Sequence, residues 1–371
     1  MLTPDSPRYA RVARTIDDFM TLDYTGVGLI GKLYDALQSR QPGPCCMGAA
    51  ERLVHAARER PDAPVLIATG FPEGGGVPET DGPVGAALLA RALFLGLGVI
   101  SVIVVDEDWE AMMHATCRGA GLAPRALPAS GRAEPIEFLR PVYIQTVPKD
   151  TTGCRAVTQS LLQQTQPSLL LAIERPGCNA RGLYHGLGGR PLDGMVADLD
   201  QLFIEARGLG LPTIGIGDGG NELGMGVIAE DLPRFSPKAV DCGIPGRGGV
   251  GAATAVDWLV VSNVSNWGAT GIVAALSALL DNPTVFHDPE LETRSTTLCV
   301  AHGGVDGMFM APEPAVDGID AREWEGMVRT LRGSVMRAMG HAVNWKGDRG
   351  DWRQLKLSLI HISEPTRLRR I

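Results

Sequence analysis

The sequence predicts an α/β protein: a single Rossmann-like three-layer domain on a mainly parallel sheet of about seven strands. Three observations carry that reading. Short, continuously apolar runs alternate with longer segments of helical periodicity, as expected of strands covered on both faces. The 371 residues include 47 glycines and 26 prolines, a density that suits many tight turns between strands and helices. Hydrophobic residues make up 44% but aromatics only 5%, so the core must be built of Leu, Val, Ile and Ala.

Residues 1–60 are expected to pack on the main domain as helices. From Ile16 to Ser39, Phe19, Met20, Ile30, Leu33, Tyr34 and Leu37 supply apolar faces, and Gly26, Gly28 and Gly31 split the stretch in two. A further helix runs from Gly48 to Arg58, with Ala50, Leu53, Val54 and Ala57 on one stripe. The α/β catalytic domain is assigned to 61–345. Strands are expected at Val65–Thr69, Val99–Val105, Pro141–Val147, Leu169–Ile173, Thr213–Ile216, Trp258–Val264 and Thr297–Ala301. Helices between them are expected at Val84–Leu97, Trp109–Ala120, Cys154–Gln164, Met195–Gly208, Asn221–Glu230 and Trp267–Leu280, and Arg322–Met339 closes the domain. That alternation implies right-handed crossovers between parallel strands. The stretch 357–371 loses the Gly/Ala texture and resembles a translated adapter sequence. It is expected to be non-native, poorly packed and without function, His361 included.

Composition removes several classes of function. The net charge of -8 argues against nucleic acid as the main partner. No apolar run approaches the roughly 18 residues that a membrane-spanning helix needs. Met1 to Arg14 is polar, carries Pro4 and Pro7, and does not read as a secretory signal, so a cytoplasmic location is expected. The seven cysteines are odd in number and form no C-x-x-C pair, which reads as reduced thiols. Cys178 and Cys242 sit in glycine-rich loops where a nucleophile could stand, but small buried residues is the simpler reading. There is no P-loop, and no G-x-G-x-x-G follows an early strand with an acid downstream, so no nucleotide cofactor is expected. Neither a zinc signature nor a G-x-S-x-G elbow is present.

The unusual residues collect in the loops after the strands, where open α/β sheets bind ligands. In Leu211–Gly226 a short strand, the turn Gly217–Gly220 and an expected helix start place Asp218, Asn221 and Glu222 at the sheet edge. A tight turn with Asn221 as its helix cap explains the glycines and the Asn, but not two acids beside them. After the first strand, Gly74, Gly75 and Gly76 let backbone amides approach a ligand. Asp81 or Gly82 can cap the next helix, with Pro83 in its first turn, which leaves Glu79 and Thr80 unexplained. Those acids would repel phosphate, so a substrate bearing an amine, or a metal, is preferred. The run Asp106-Glu107-Asp108 reads equally well as a solvated helix start and as a ligand site. Glu174 should project at the edge after the fourth strand, and Arg175 beside it offers a planar fork for a carboxylate. Arg247 is the single cation of the loop Asp241–Thr254. Ser265 or Asn266 should cap the helix that follows, leaving Asn263 and the other for ligand. His302 is more readily a structural residue than a ligand.

The segments Ala68–Pro72, Pro78–Pro83, Ile173–Gly177, Ile216–Gly226 and Val264–Gly268 resemble, in order and jointly, the D-glutamate cyclase family. The likeness is to its C-terminal domain, which also occurs alone in bacteria, and it covers roughly Ile16 to Met339. Longer members carry an additional N-terminal domain. The resemblance implies a hydro-lyase that closes D-glutamate to 5-oxo-D-proline with loss of water. Site residues come from the loop reading instead. Asp218, Glu222 or Glu174 would act as general base. Arg175, Asn221, Thr80, Arg247, Asn263, Ser265, Asn266, Gly74, Gly75, Gly219 and Gly220 would bind substrate. Asp81, Glu79 and Asp218 would hold Mg²⁺ or Mn²⁺. The expected partner is a small amino acid, with no membrane; the oligomeric state is left open. Two alternatives stand beside this. Val105-Asp-Glu-Asp108 with Gly217–Glu222 loosely resembles the aspartyl-nucleophile phosphatases, although Glu110 and Asn221 depart from their motifs. A non-catalytic amino-acid or nucleotide-binding module would keep the glycine loops and need no base.

Overall fold

The computed structural model describes residues 6–136 and 139–340. The expected non-native tail, 357–371, lies outside the described residues. Helices Pro7–Met20 (α1), Ile30–Arg40 (α2) and Cys45–Glu59 (α3) come first. There follow Val65–Thr69 (β1), Pro83–Leu97 (α4), Ser101–Asp106 (β2), Glu110–Gly119 (α5), Ala123–Ala126 (β3), Pro141–Val147 (β4) and Thr151–Thr165 (α6). Leu169–Ile173 (β5), Asp200–Gly208 (α7), Thr213–Gly217 (β6), Trp258–Val261 (β7) and Ser265–Leu279 (α8) continue the chain. Glu290–Ala301 (α9), the small hairpin Ala315–Val316 (β8) with Ile319–Asp320 (β9), and Ala321–Met339 (α10) complete it.

One seven-stranded sheet runs in the order β3-β4-β2-β1-β5-β6-β7. All its pairings are parallel, with Ile67 opposite Ile103 on one side and Leu171 on the other. Every residue of β1 and β5 is buried, as both faces of a parallel sheet require. Helices α4, α5, α8 and α3 cover one face, while α6 and α7 pack together across β4 and β6. Outside the first layer, α1 and α10 pack on α8, and α9 packs on α5. That second cover explains why α4 and α8 are apolar all round rather than striped. At the α8–α3 contact, a side chain at Gly271 would meet Cys46 Sγ at 2.7 Å. The connection from β1 leads toward one edge of the sheet and that from β5 toward the other. The C-terminal ends of β1 and β5 therefore flank the switch point, where ligand crevices form.

Seven strands were expected, and among the described residues the main sheet has seven, but not the same seven. The expected strand Thr297–Ala301 is the second half of α9. Its β-branched run hid a helical pattern in which Glu292, Ser295, Thr296 and Cys299 are the buried face. The seventh strand is instead β3, Ala-Pro-Arg-Ala, an edge strand where Pro124 is tolerated. The helix expected over Asn221–Glu230 does not form. Gly220 and Gly224 take positive φ, Pro176 bridges Glu222, and only a short turn of 3₁₀ helix follows at Gly226–Ile228. Among the described residues no helix is long and apolar enough to cross a membrane.

Candidate active site

Three loops and one hairpin bring carboxylates to the β1/β5 crevice. After β1, Glu79 pairs alongside Val305, whose carbonyl accepts from Thr80 N at 2.9 Å. Asp81 follows and caps α8 from outside: its oxygens accept from Ser265 N at 2.8 Å and Asn266 N at 2.7 Å. Asn266 returns the favour to α4, accepting from Gly82 N at 2.9 Å and Gly85 N at 2.7 Å. The start of α8 is thus capped by the residue before Gly82, and the start of α4 by a side chain from the first turn of α8, which locks the two helix starts together. Glu174 ends β5 in a left-handed conformation, φ 40, and accepts from Ser265 Oγ at 2.7 Å. Asp218 ends β6 and accepts from Ser265 N at 3.1 Å. The carboxylate of Glu222 turns back to take Gly219 N at 2.7 Å and Gly220 N at 2.8 Å.

Asp317 is the member that the sequence reading missed. It sits with Gly318 in the two-residue turn of the β8–β9 hairpin, both at positive φ. Buried Asp306 holds that turn by accepting from Gly318 N at 2.9 Å, while its other oxygen takes Met308 N and Phe309 N. An Asp-Gly pair between short apolar runs is a hairpin signal. It could have located the turn, though not its destination.

Oxygens of Asp81, Asp218 and Asp317 lie within 4.8 Å of one another, and so do those of Glu174, Asp218 and Glu222. Asp218 belongs to both groups. A cavity of about 210 Å³ is lined by Glu174, Asp218, Glu222 and Asp317, with Glu73, Glu79, Asn221 and Asn263, while Asp81 lies outside that lining. Among the described residues no Lys or Arg lines it. Burial raises Glu79, Glu174, Asp218 and Asp317 well above the usual carboxylate range, and the neighbouring acids add to the shift. Burial also pushes Asp81 up to about 6, against the pull of the amides it caps.

Residues 36–332 match the family described as D-glutamate cyclase-like, C-terminal. The chain belongs to that family. A human relative, "D-glutamate cyclase, mitochondrial", is 29% identical over 226 residues, 58% of this chain and 33% of its own length. The chain thus spans about a third of that curated relative. A solved mandelate oxidase variant aligns over 90% of this chain and 93% of its own at 14% identity, with a TM-score of 0.22, too low to bear on fold or function.

Several residues chosen from sequence in this D-glutamate cyclase-like chain lie elsewhere. Arg175 does not face the crevice. It is fully buried, pairs with Asp106, and donates to Ala197 O at 2.6 Å. The chain leaves β5 at Glu174, φ 40, and Arg175 is drawn to Asp106 and Ala197 O on the far side of that turn. Arg247 is held by Asp193 at 2.7 Å and by His185, outside the cavity lining. Thr80 is sealed, its hydroxyl donating to Ala315 O at 2.6 Å. Gly74 and Gly75 lie in a short 3₁₀ turn next to Glu73 and do not line the cavity. The amides of Gly219 and Gly220 are spent on Glu222 and are not free for an oxyanion. Asn221 lines the cavity but caps no helix; its Nδ2 donates to His185 O at 3.1 Å. Ser265 and Asn266 are fastened to Glu174, Asp81 and α4, while Asn263 keeps a buried Nδ2 with no acceptor. Cys178 lies outside the cavity lining, and burial pushes its thiol up to about 12, away from nucleophilic use. Cys242 is also outside that lining.

Gly82 carries the tightest packing at the switch point. Its φ is +90, and a Cβ would lie 2.6 Å from Thr69 Oγ1 and 2.9 Å from both Ile173 O and Glu174 Cβ. Gly82→Ala is expected to lower stability by about 2 kcal/mol or more, with strain and clash acting together. Chemical denaturation checks it; an unchanged midpoint would show that the β1 loop is not held here.

Proposed function

We propose that this chain closes D-glutamate to 5-oxo-D-proline in the acidic cavity between β1 and β5. The observation that carries the reading is the convergence of buried carboxyls whose proton affinities burial and neighbouring acids raise above the usual carboxylate range. In the net reaction the amine nitrogen bonds to the side-chain carboxyl carbon and one carbon–oxygen bond breaks. Two of the three ammonium protons leave with that oxygen as water. One group must therefore take a proton and another must give one. Raised carboxyls in mutual contact can divide those tasks, the deprotonated partner acting as base and the protonated one as acid. Asp218, shared by both groups, is assigned the central transfer. Glu174, positioned by Ser265 Oγ, is its partner on the β5 side.

The two carboxylates of glutamate meet a cavity that holds six carboxyls and no Lys or Arg among the described residues, which calls for a cation. The donor set is oxygen alone, which suits Mg²⁺ or Mn²⁺. Asp218 would hold the ion with Asp81 and Asp317, or with Glu174 and Glu222, and Glu79 would stand alongside. When bound, the ion would draw charge from the side-chain carboxylate and make it an electrophile. The unpaired Nδ2 of Asn263 is the chain's own donor for a substrate carboxylate. Asn263→Ala is expected to raise KM about tenfold, the worth of one hydrogen bond to a charged group, with kcat changed less. An unchanged KM would remove Asn263 from the binding set.

The phosphatase alternative loses its footing at Asp106, whose carboxylate is sealed against Arg175 away from the cavity. Incubation with D-glutamate, L-glutamate and p-nitrophenyl phosphate, each with Mn²⁺ or EDTA, separates the readings. Oxoproline with Mn²⁺ supports cyclisation. Phosphate release would replace it with the phosphatase, and thermal stabilisation without turnover with the binding module.

A further inference from the structure

We propose that a second site, on the edge of the sheet opposite the acidic cavity, binds a phosphate-class oxyanion between Arg91, Arg140, Arg294 and Arg332. Arg91 projects from the middle of α4, and its Nε and Nη1 are buried without any acceptor. Such a head is destabilising unless a counter-charge is supplied. Burial lowers its proton affinity, and so do the charges of Arg140, Arg294 and Arg332; Asp288 opposes them. Arg140 and Arg294 converge at Gly121: a Cβ there would lie 3.4 Å from Arg294 Nη2 and 3.7 Å from Arg140 Nη1. Arg294 is braced by donation from Nε to Gly119 O at 2.5 Å, with Nη2 beside Gly121. Arg332 donates to Phe286 O at 3.3 Å and pairs loosely with Asp288, at 3.5 Å, a carboxylate 75% exposed.

Four guanidiniums against one exposed carboxylate is a large local excess in a chain of net charge -8. Guanidinium forks match the oxygens of tetrahedral oxyanions, which names the ligand class: inorganic phosphate or the phosphate group of a small metabolite. The site is separate from the acidic cavity. Arg294 lies in the first half of α9, and the helix rises about 11 Å from it to Ala301 before the chain reaches Val305 beside Glu79. The proposal therefore does not depend on the reaction assigned to the cavity.

The test is a thermal titration of the full chain with sodium phosphate and with sodium chloride at matched ionic strength, in EDTA so that no cation in the cavity can hold phosphate. Phosphate is expected to raise Tm saturably and chloride not. The double variant Arg140→Ala/Arg294→Ala should keep the Tm seen in chloride and bind phosphate at least tenfold more weakly. Arg91→Met should be more stable than the unaltered chain in chloride and respond little to phosphate. Equal shifts with the two salts would overturn the proposal. So would a phosphate shift retained in the double variant, which is the general salting effect of phosphate. Comparing inorganic phosphate with a sugar phosphate distinguishes the two sources.

Discussion

Replacing Asp218 by Asn is expected to lower oxoproline formation about a thousandfold while the protein stays folded. The side chain is the one carboxylate common to both oxygen clusters, and Asn keeps its shape but can neither take up nor release the proton. Its contacts are one of 3.1 Å with Ser265 N, which the amide oxygen can preserve, and side-chain hydrogen bonds with Asp81 and Asp317, to which an amide can still donate. Removing one charge from a repulsive cluster should even raise Tm in EDTA. Glu222→Gln is the informative contrast. That carboxylate holds two backbone amides of the glycine turn, and an amide side chain can accept only one of them. It should therefore lose stability as well as activity. Unchanged turnover in Asp218→Asn would take the residue out of the mechanism.

Freed of divalent ions, the protein is expected to lose stability as pH rises from about 4 through 6 and above. The sign follows from the carboxyls, whose folded proton affinities lie above the values near 4 expected of the unfolded chain. Between those two values the folded state binds more protons, so its stability is fullest at low pH and falls as pH rises through the folded values. Asp81 alone, raised from 3.8 to about 6, represents on the order of 3 kcal/mol. A bound divalent ion takes the place of those protons, so Mn²⁺ should raise Tm more at pH 8 than at pH 5. The slope with pH should flatten in Asp218→Asn. A Tm in EDTA that rises over the same interval, with no Mn²⁺ effect at either pH, would mean that the acids do not act as one cluster.

What the sequence made legible follows from the physics of each element. Strands β1, β4 and β5 stand within the expected bounds because buried parallel strands read as unbroken apolar runs. Edge strand β3 carries no such signal, since Pro124 and Arg125 belong to a surface. Glu174 and Asp218 were expected at one rim because each directly follows a strand, and Glu79 and Asp81 because they lie in the loop after β1; the parallel sheet aligns those ends. Asp317 comes from a hairpin of two-residue strands, too short for any periodicity to mark. Arg175 and Arg247 were chosen for charge alone. A sequence does not reveal that their guanidiniums are already spent on Asp106 and Asp193.

The most direct measurement is a chirally resolved product assay on the Mn²⁺-loaded chain given D-glutamate. The account predicts 5-oxo-D-proline accumulating with Mn²⁺, abolished by EDTA and by Asp218→Asn. D-glutamate recovered unchanged, by a folded protein shown to hold Mn²⁺, would contradict it.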